Sequence, residues 1–498
     1  MTPAARIAAA IDLLEAIETS RAKPADAIAN DWFRARRFIG GGDRRAVSER
    51  VWHVLRTRRR LGWWLREEKA PPPLVGGAGA ILARANDPAN SAPPPLEGGG
   101  GGEGCVQPWS SAVRTPPPHP LPQGEGESSP PATTRRPAAS PRLLVAASLL
   151  LEGGALGGIA SAFSGGRFAP APLNPAELAT LRRLEGHTLE HRGMPDAVRL
   201  EIPDWLFPRL AERFGPALEA ELQALLQPAP LDLRANLLKT TRDAAQAALA
   251  AEGLDAVPTR FSPWGLRIPS RRPVTNGAAF RSGLVEIQDE GSQLVAALLG
   301  ARPSHRVCDF CAGAGGKTLA LAATMDNRGQ IVACDTSVAR LANATIRLRR
   351  AGASNVERHL LEPGDKWAKR RAETFDRVLV DAPCTGTGTW RRNPDARQRL
   401  AATDLAELTA RQAAILDAAA PLVRKRGRLV YATCALLEEE NEAQVMHFLA
   451  RHPGFSLVPL ARAWPFDGAP PCTGDFLALT PARHGTDGFF AAVLERTA

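Results

Sequence analysis

Apolar residues recur every three to four positions near the start of the chain. Ile7, Ile11, Leu14 and Ile17 form one such stripe, and Val47, Val51, Val54 and Leu55 form another. This spacing predicts amphipathic helices. Between them Gly40-Gly41-Gly42-Asp43 reads as a turn, with Asp43 as a candidate helix N-cap. The pattern then vanishes: 27 of the 70 residues from Pro71 to Ser140 are Pro or Gly. A segment of that composition cannot bury enough apolar surface to offset its ordering entropy, so it is expected to be disordered. Helical periodicity returns at Leu143-Leu144-Val145 and continues to Leu151. The stretch 71–140 is therefore read as an insertion splitting one all-α domain, 1–70 plus 141–200. Cys105 inside it is not expected to carry chemistry.

A helical pair with the apolar face Trp205, Leu206, Leu210 and Phe214 follows between Pro203 and Gln227. Leu231 to Asn236 and Gly265 to Ile268 read as strands, with a helix from Thr241 to Gly253 between them. Together these form a small helical and α+β unit over 201–290, whose sheet is a candidate RNA platform. From Arg306 onward strands and helices alternate as in a doubly wound α/β domain, taken as 291–498. Its predicted strands are Arg306–Phe310, Gln330–Cys334, Asn355–Leu361, Arg377–Val380 and Arg428–Thr433. Two later runs, Phe476–Leu479 and Phe489–Leu494, are expected to close the sheet. The fold class is thus a multidomain chain, all-α, then small α+β, then Rossmann-like α/β.

Charge adds a partner class. The chain of 498 residues carries a formal net charge of +10 and has a pI near 9.7, which points to an anionic partner, nucleic acid first. From Asp31 to Arg66 eleven arginines face three acids, interleaved with Trp32, Phe33, Phe38, Trp52, Trp63 and Trp64. Arginine among aromatics suits phosphate contact and base stacking. The same residues also fit a helical bundle with a tryptophan core and an arginine-rich surface. The seven cysteines are odd in number and lie mostly on or beside predicted strands, which argues for reduced thiols. No apolar run reaches membrane-spanning length, so a cytoplasmic protein without a membrane partner is expected.

Chemistry concentrates in the α/β domain. Cys384 in Asp381-Ala382-Pro383-Cys384 and Cys434 in Tyr431-Ala432-Thr433-Cys434 each follow a predicted strand, at the sheet edge where open α/β folds bind ligands. Pro383, Gly386 and Gly388 shape a narrow loop around Cys384. Cys434 precedes the acidic run Glu438-Glu439-Glu440-Asn441-Glu442. Its position near a helix start favours the thiolate, while those acids oppose it. Upstream, Gly313-Ala314-Gly315-Gly316 lets backbone approach a ligand closely, and the helix starting near Lys317 offers free N–H groups. Its spacing is not that of a phosphate P-loop. Asp335, ending the second strand, is placed for a ribose diol, or for capping the helix after Ser337. Cys308 and Cys311 form a C-x-x-C without a second pair, so no metal is expected. Arg391, Arg392 and Arg397, after the Cys384 loop, are candidates for phosphate contact.

These residues together resemble the Sun-type RNA cytosine-5 methyltransferases, which use S-adenosyl-L-methionine. The likeness runs from Gly283-Leu284-Val285-Glu286-Ile287-Gln288-Asp289-Glu290 to Asp487-Gly488-Phe489-Phe490. The amino-terminal part, with Phe38-Ile39-Gly40 and Asp43-Arg44-Arg45, looks like the NusB-like domain of the bacterial ribosomal small-subunit methyltransferases B. The resemblance implies that Cys434 is the nucleophile on cytosine carbon 6, that Cys384 assists breakdown of the adduct, and that Asp381 hydrogen-bonds the cytosine edge. It further implies that Cys311, Ala312, Gly313, Ala314, Gly315, Gly316 and Lys317 line the methionine part of the cofactor, with Asp381 at the site's edge. Asp335 would hold the ribose, and Glu362 or Asp365 the adenine. One departure is Ala312-Gly313-Ala314-Gly315-Gly316-Lys317, where the family has Ala-Ala-Pro-Gly-Gly-Lys. Lacking the proline's preset φ, the loop adds no bulk, so cofactor binding is expected to survive. The implied substrate is small-subunit (16S) ribosomal RNA, acted on by a monomer. Transfer RNA, or a noncatalytic role in ribosome assembly, are the alternatives. A DNA methyltransferase would be expected to carry its nucleophile in the Pro-Cys loop, so Thr433-Cys434 argues against one.

Overall fold

A computed structural model describes residues 1–20, 23–66, 139–269, 272–362 and 364–497. The predicted disordered insertion, Cys105 included, lies outside the described residues except for positions 139 and 140.

The amino-terminal helices are α1 (Pro3–Thr19), α2 (Ala25–Ala35), α3 (Gly41–Arg56), α4 (Arg58–Arg66) and α5 (Pro141–Leu151). Residues before and after the undescribed stretch share one apolar core, with Leu13, Val51 and Trp64 packed alongside Val145, Ala147 and Leu181. Trp32 and Trp64 are buried in it, and Trp52 and Trp63 pack against it. The tryptophans therefore serve the bundle core, while Phe38 is 80% exposed. Asp43 is not an N-cap: Gly40 takes that position, and the Asp43 carboxylate pairs with the Met1 amine and Arg6 instead.

The small unit is an antiparallel sheet in the order β2-β3-β1-β4, from β1 (Leu231–Ala235), β2 (Val257–Pro258), β3 (Gly265–Ile268) and β4 (Val285–Ile287). Leu233 and Ala235 face its own apolar core, so Asp232 and Arg234 alternate to the other side. That side is not an open RNA platform. Asp232, Arg234 and Glu286 are buried, and Arg234 donates to the Gly316 carbonyl at 3.2 Å across the boundary with the α/β domain.

The α/β domain holds β5 (Arg306–Asp309), β6 (Gln330–Asp335), β7 (Val356–Leu360), β8 (Phe375–Asp381), β9 (Val423–Thr433), β10 (Phe455–Val458), β11 (Leu477–Leu479) and β12 (Phe489–Arg496). The strand order is β10-β12-β9-β8-β5-β6-β7, with β11 also on β12. The run β5 to β9 is parallel, while β12 is antiparallel to β9. Alternate residues enter two separate cores: Cys308, Val378, Val380, Leu429 and Tyr431 on one face, Val307, Leu379, Val430 and Ala432 on the other. Burial on both faces is what a parallel sheet covered by helices requires. The chain reverses its winding between β5 and β8, which opens a crevice at their carboxyl ends.

Candidate active site

β8 and β9 lie side by side in register, Asp381 opposite Ala432. The residues just past their ends are therefore neighbours, and Cys384 Sγ stands 3.3 Å from Cys434 Sγ. The two loops are tied to each other. Gly388 N–H donates to the Cys434 carbonyl at 2.9 Å, and Leu436 N–H donates to Thr387 Oγ1 at 2.7 Å. A third segment joins them where Gly488 N–H donates to the Gly388 carbonyl at 2.9 Å. A Cβ at Gly388 would stand 2.4 Å from the Gly488 carbonyl oxygen, so this crossing requires glycine. Glu440 completes the brace: its buried carboxylate accepts from Thr385 N–H at 2.8 Å, Thr385 Oγ1 at 2.5 Å and Gln412 Nε2 at 3.0 Å.

The thiols differ in setting. The hydrogen bond with Cys434, and then burial, push the Cys384 pKa well above its ordinary value, so Cys384 stays protonated. Lys317 Nζ donates to Asp381 Oδ2 at 2.6 Å. Burial disfavours the Lys317 charge, but Asp381 outweighs it and raises the pKa. The other Asp381 oxygen makes no hydrogen bond among the described residues, and the side chain is 32% exposed.

A cleft of about 1150 Å³ opens at the β5/β8 crevice. It is lined by Cys311, Ala312, Gly313, Ala314, Gly316, Lys317, Asp335, Asp381 and Cys384. Of the predicted residues, Gly315 caps the helix Gly316–Thr324 in the left-handed region (φ 79°) without lining the cleft, and Cys434 also lies off its wall. Glu362 and Asp365 do not line it; Leu361 does. The Asp365 carboxylate is engaged by His359 Nε2 at 2.7 Å and Trp367 N–H at 2.8 Å, and the His359 bond holds its pKa below the usual value.

Several features fit an adenosyl cofactor. Gly313 has φ +56°, and a Cβ there would meet nothing within 4 Å, so the missing side chain leaves cleft space. Asp335 straps the turn, accepting from Gly313 N–H and Ser337 N–H, each at 2.8 Å. Ser337, not Asp335, caps the following helix. Asp309, which sequence reasoning overlooked, ends β5 at the mouth of the glycine turn. Its Oδ2 accepts from Thr318 Oγ1 at 2.7 Å, while buried Oδ1 has no hydrogen-bond partner. Burial raises its pKa to about 7. An unpaired carboxylate oxygen buried in a cleft wall marks a candidate for ligand contact. The signal that marked Asp335, an acid at a strand end beside a turn, marks Asp309 equally.

The arginines after the Cys384 loop do not meet solvent phosphates. Arg391 and Arg392 both pair with Asp289 and Asp487, forming an internal lattice. Arg397 is buried over the Trp390 ring at 5.6 Å and donates to the Glu201 carbonyl at 3.4 Å. Its partner Glu201 is 196 positions away in sequence, which hid this role. Among the described residues no group of three or more His, Cys, Asp or Glu is placed to hold a metal ion, and no helix is long and apolar enough to cross a membrane.

Residues 296–495 match the family model "16S rRNA methyltransferase RsmB/F", and residues 202–275 match the ferredoxin-like domain of RsmF/B-like methyltransferases. A probable ribosomal RNA small subunit methyltransferase B from Synechocystis sp. is 37% identical over 300 residues, 59% of this chain and 67% of the relative. The chain belongs to the RsmB/F family. Among solved structures, that of PH0851 covers 100% of this chain and 99% of its own, with a TM-score of 0.71 and 24% identity. NSun6 from Pyrococcus horikoshii with SFG covers 59% of this chain and 98% of its own, with a TM-score of 0.53 and 21% identity. At these identities the likeness is one of fold: a helical amino-terminal region, a small ferredoxin-like domain and a Rossmann-like methyltransferase sheet. The RsmB/F enzymes are ribosomal RNA methyltransferases, and S-adenosylmethionine is the cofactor of this fold.

Proposed function

We propose that this protein methylates carbon 5 of a cytosine in small-subunit ribosomal RNA through a covalent cysteine–cytosine adduct. The observation that carries this reading is the 3.3 Å approach of Cys384 and Cys434 at the ends of adjacent parallel strands beside the cleft. S-adenosylmethionine, when bound, supplies an electrophilic methyl group. Gly313 and Gly316 would give it backbone room, Asp335 would hold its ribose, and the unpaired, buried Oδ1 of Asp309, in the cleft wall, would lie on the side of its amine.

Cytosine carbon 5 is a weak nucleophile, and a covalent step divides the barrier. The Cys434 thiolate adds to carbon 6, and the ring electrons move toward carbon 5. The free Asp381 oxygen faces the pyrimidine edge, while Lys317 fixes the other oxygen and so sets the carboxylate's orientation. Methyl transfer would release S-adenosylhomocysteine. Solvent water then takes the carbon 5 proton, and the electron pair of that C–H bond re-forms the ring double bond and expels the Cys434 sulfur. Cys384, kept as a thiol, hydrogen-bonds the departing sulfur and eases its loss as a thiolate. The target base must be unpaired or flipped to reach the sulfur. In this reading 291–498 is the catalytic unit, 201–290 packs against it, 1–70 with 141–200 holds RNA, and a cytoplasmic monomer suffices.

The test is transfer from methyl-labelled cofactor to protein-free small-subunit ribosomal RNA, followed by digestion to nucleosides. Label in 5-methylcytidine is the expected result. Label in another nucleoside would refute the chemistry, and label confined to transfer RNA would refute the substrate.

A further inference from the structure

Two depressions outside the cleft adjoin one another. The first, about 470 Å³, lies on α2 and α3 and is lined by Asn30, Phe33, Arg34, Arg37, Arg44 and Arg45, with Ser48 and no acid. The second, about 1130 Å³, shares Asn30, Phe33, Arg45 and Ser48 with the first and continues past Trp52 and Arg56 to Arg392 and Asn393. Arg392 also lines the cofactor cleft. The two depressions thus form a furrow from the amino-terminal helices to Arg392, which borders the candidate active site. The first depression carries no acid, and the second carries Asp26, Glu49 and Glu190, with Glu190 paired with Arg60 at 3.1 Å. The cleft beyond Arg392 is acidic, with Asp289, Asp381 and Asp487 among its walls.

At the outer end Arg34 pairs with Asp31 and Arg44 donates to the Ile39 carbonyl, each at 2.8 Å, while two other arginines are uncommitted. Arg37 and Arg45 are exposed and make no ion pair or side-chain hydrogen bond among the described residues. Phe38, next to Arg37, is 80% exposed, in a bundle that buries Trp32 and Trp64. An apolar ring left in water at the chain position next to Arg37, outside the walls of the two depressions, together with the unpaired Arg37 and Arg45, matches the stacking-plus-phosphate pattern of single-strand binding.

We infer that this furrow is a track for a single-stranded segment of the substrate RNA, with phosphates held by Arg37 and Arg45 and a base stacked on Phe38, leading the chain past Arg392 to the target cytosine. The inference rests on the RNA substrate proposed above and adds where the RNA flanking that cytosine lies.

The test measures affinity of the full-length protein for a fluorescent single-stranded RNA carrying the target cytosine, over a series of salt concentrations. Wild type is compared with Arg37→Gln/Arg45→Gln and with Phe38→Ala, and each variant's melting curve checks its fold. Loss of two single-strand phosphate contacts should flatten the log–log salt slope by about 1.4, at about 0.7 per contact. Phe38→Ala should weaken binding about tenfold, the loss of one stacked base, with the slope retained. A double variant with wild-type slope and affinity, in a protein that still methylates ribosomal RNA, overturns the track and leaves the function standing. Slope loss in a protein that methylates only transfer RNA keeps the track and overturns the substrate. Weakening seen only with protein-containing small subunits, and not with naked RNA, would overturn the track in favour of a protein-docking surface.

Discussion

Substitution of Gly388 by alanine should separate the two thiols without touching either. Gly388 sits where the Cys384 loop, the turn after β9 and the Asp487-Gly488 segment cross. Its N–H bonds the Cys434 carbonyl and its carbonyl accepts from Gly488, each at 2.9 Å. A methyl group there would lie 2.4 Å from the Gly488 carbonyl oxygen and 2.6 Å from its Cα. Both are backbone atoms, so no rotamer change relieves the contact, and one segment must move by about 1 Å to reach ordinary van der Waals separation. The two hydrogen bonds contribute about 1 kcal/mol each. Overpacking adds about 1–3 kcal/mol, so local destabilisation is roughly 3–5 kcal/mol. A displacement of about 1 Å between reacting groups lowers turnover on the order of a hundredfold. Single-turnover methyl transfer would measure the rate, and equilibrium binding of the cofactor product would check that the glycine turn is intact. Gly388→Ala with wild-type turnover would refute the claim that this crossing sets the sulfur geometry.

Three further outcomes follow from the same site. Asp309, raised to about 7, keeps its proton in the folded protein where the unfolded chain has lost it, so its contribution to stability is full below about pH 4 and fades as pH rises through 7. At about 1.4 kcal/mol per unit over roughly three units the swing is on the order of 4 kcal/mol. Asp309→Asn should remove that part of the pH dependence, read as the difference in urea midpoints at pH 5 and 8. Lys317→Met strips Asp381 of its 2.6 Å partner and should cost about 1–3 kcal/mol in thermal unfolding and most of the methyl transfer. Asp487→Asn leaves Arg391 and Arg392 short of a counter-charge in a buried lattice, and should lower the melting temperature more than any exposed Asp→Asn change, such as Asp467→Asn.

The sequence carried the chemistry better than its surroundings. Strand-end cysteines, a glycine turn and an acid at the end of β6 are local signals, and each lies where its strand puts it. The short apolar runs of β5, β6, β8 and β9 were legible because parallel strands are apolar on both faces. The edge strands β10 and β4 were not: polar Ser456 and Glu286 interrupt their short runs. Charged residues misled most. Arg391 and Arg392 look like a basic run, yet their partners Asp289 and Asp487 are about a hundred positions away on either side. Glu201 likewise hides beside α4, accepting from Arg59 and Arg60 N–H groups at 2.8 and 3.0 Å. Local spacing contains nothing of such long-range pairing. The amino-terminal arginines divide in the same way: Arg58 and Arg60 pair internally, while Arg37 and Arg45 remain outside, a distinction only packing reveals.

The most direct test of the two-thiol account is adduct trapping. Purified Cys384→Ala and Cys434→Ala proteins are incubated with ribosomal RNA and cofactor, then resolved under denaturing conditions. The account predicts a stable protein–RNA band for Cys384→Ala, with methylated RNA in it, and neither band nor methylation for Cys434→Ala. Methyl transfer that persists in Cys434→Ala, or an adduct that forms without that thiol, would contradict it.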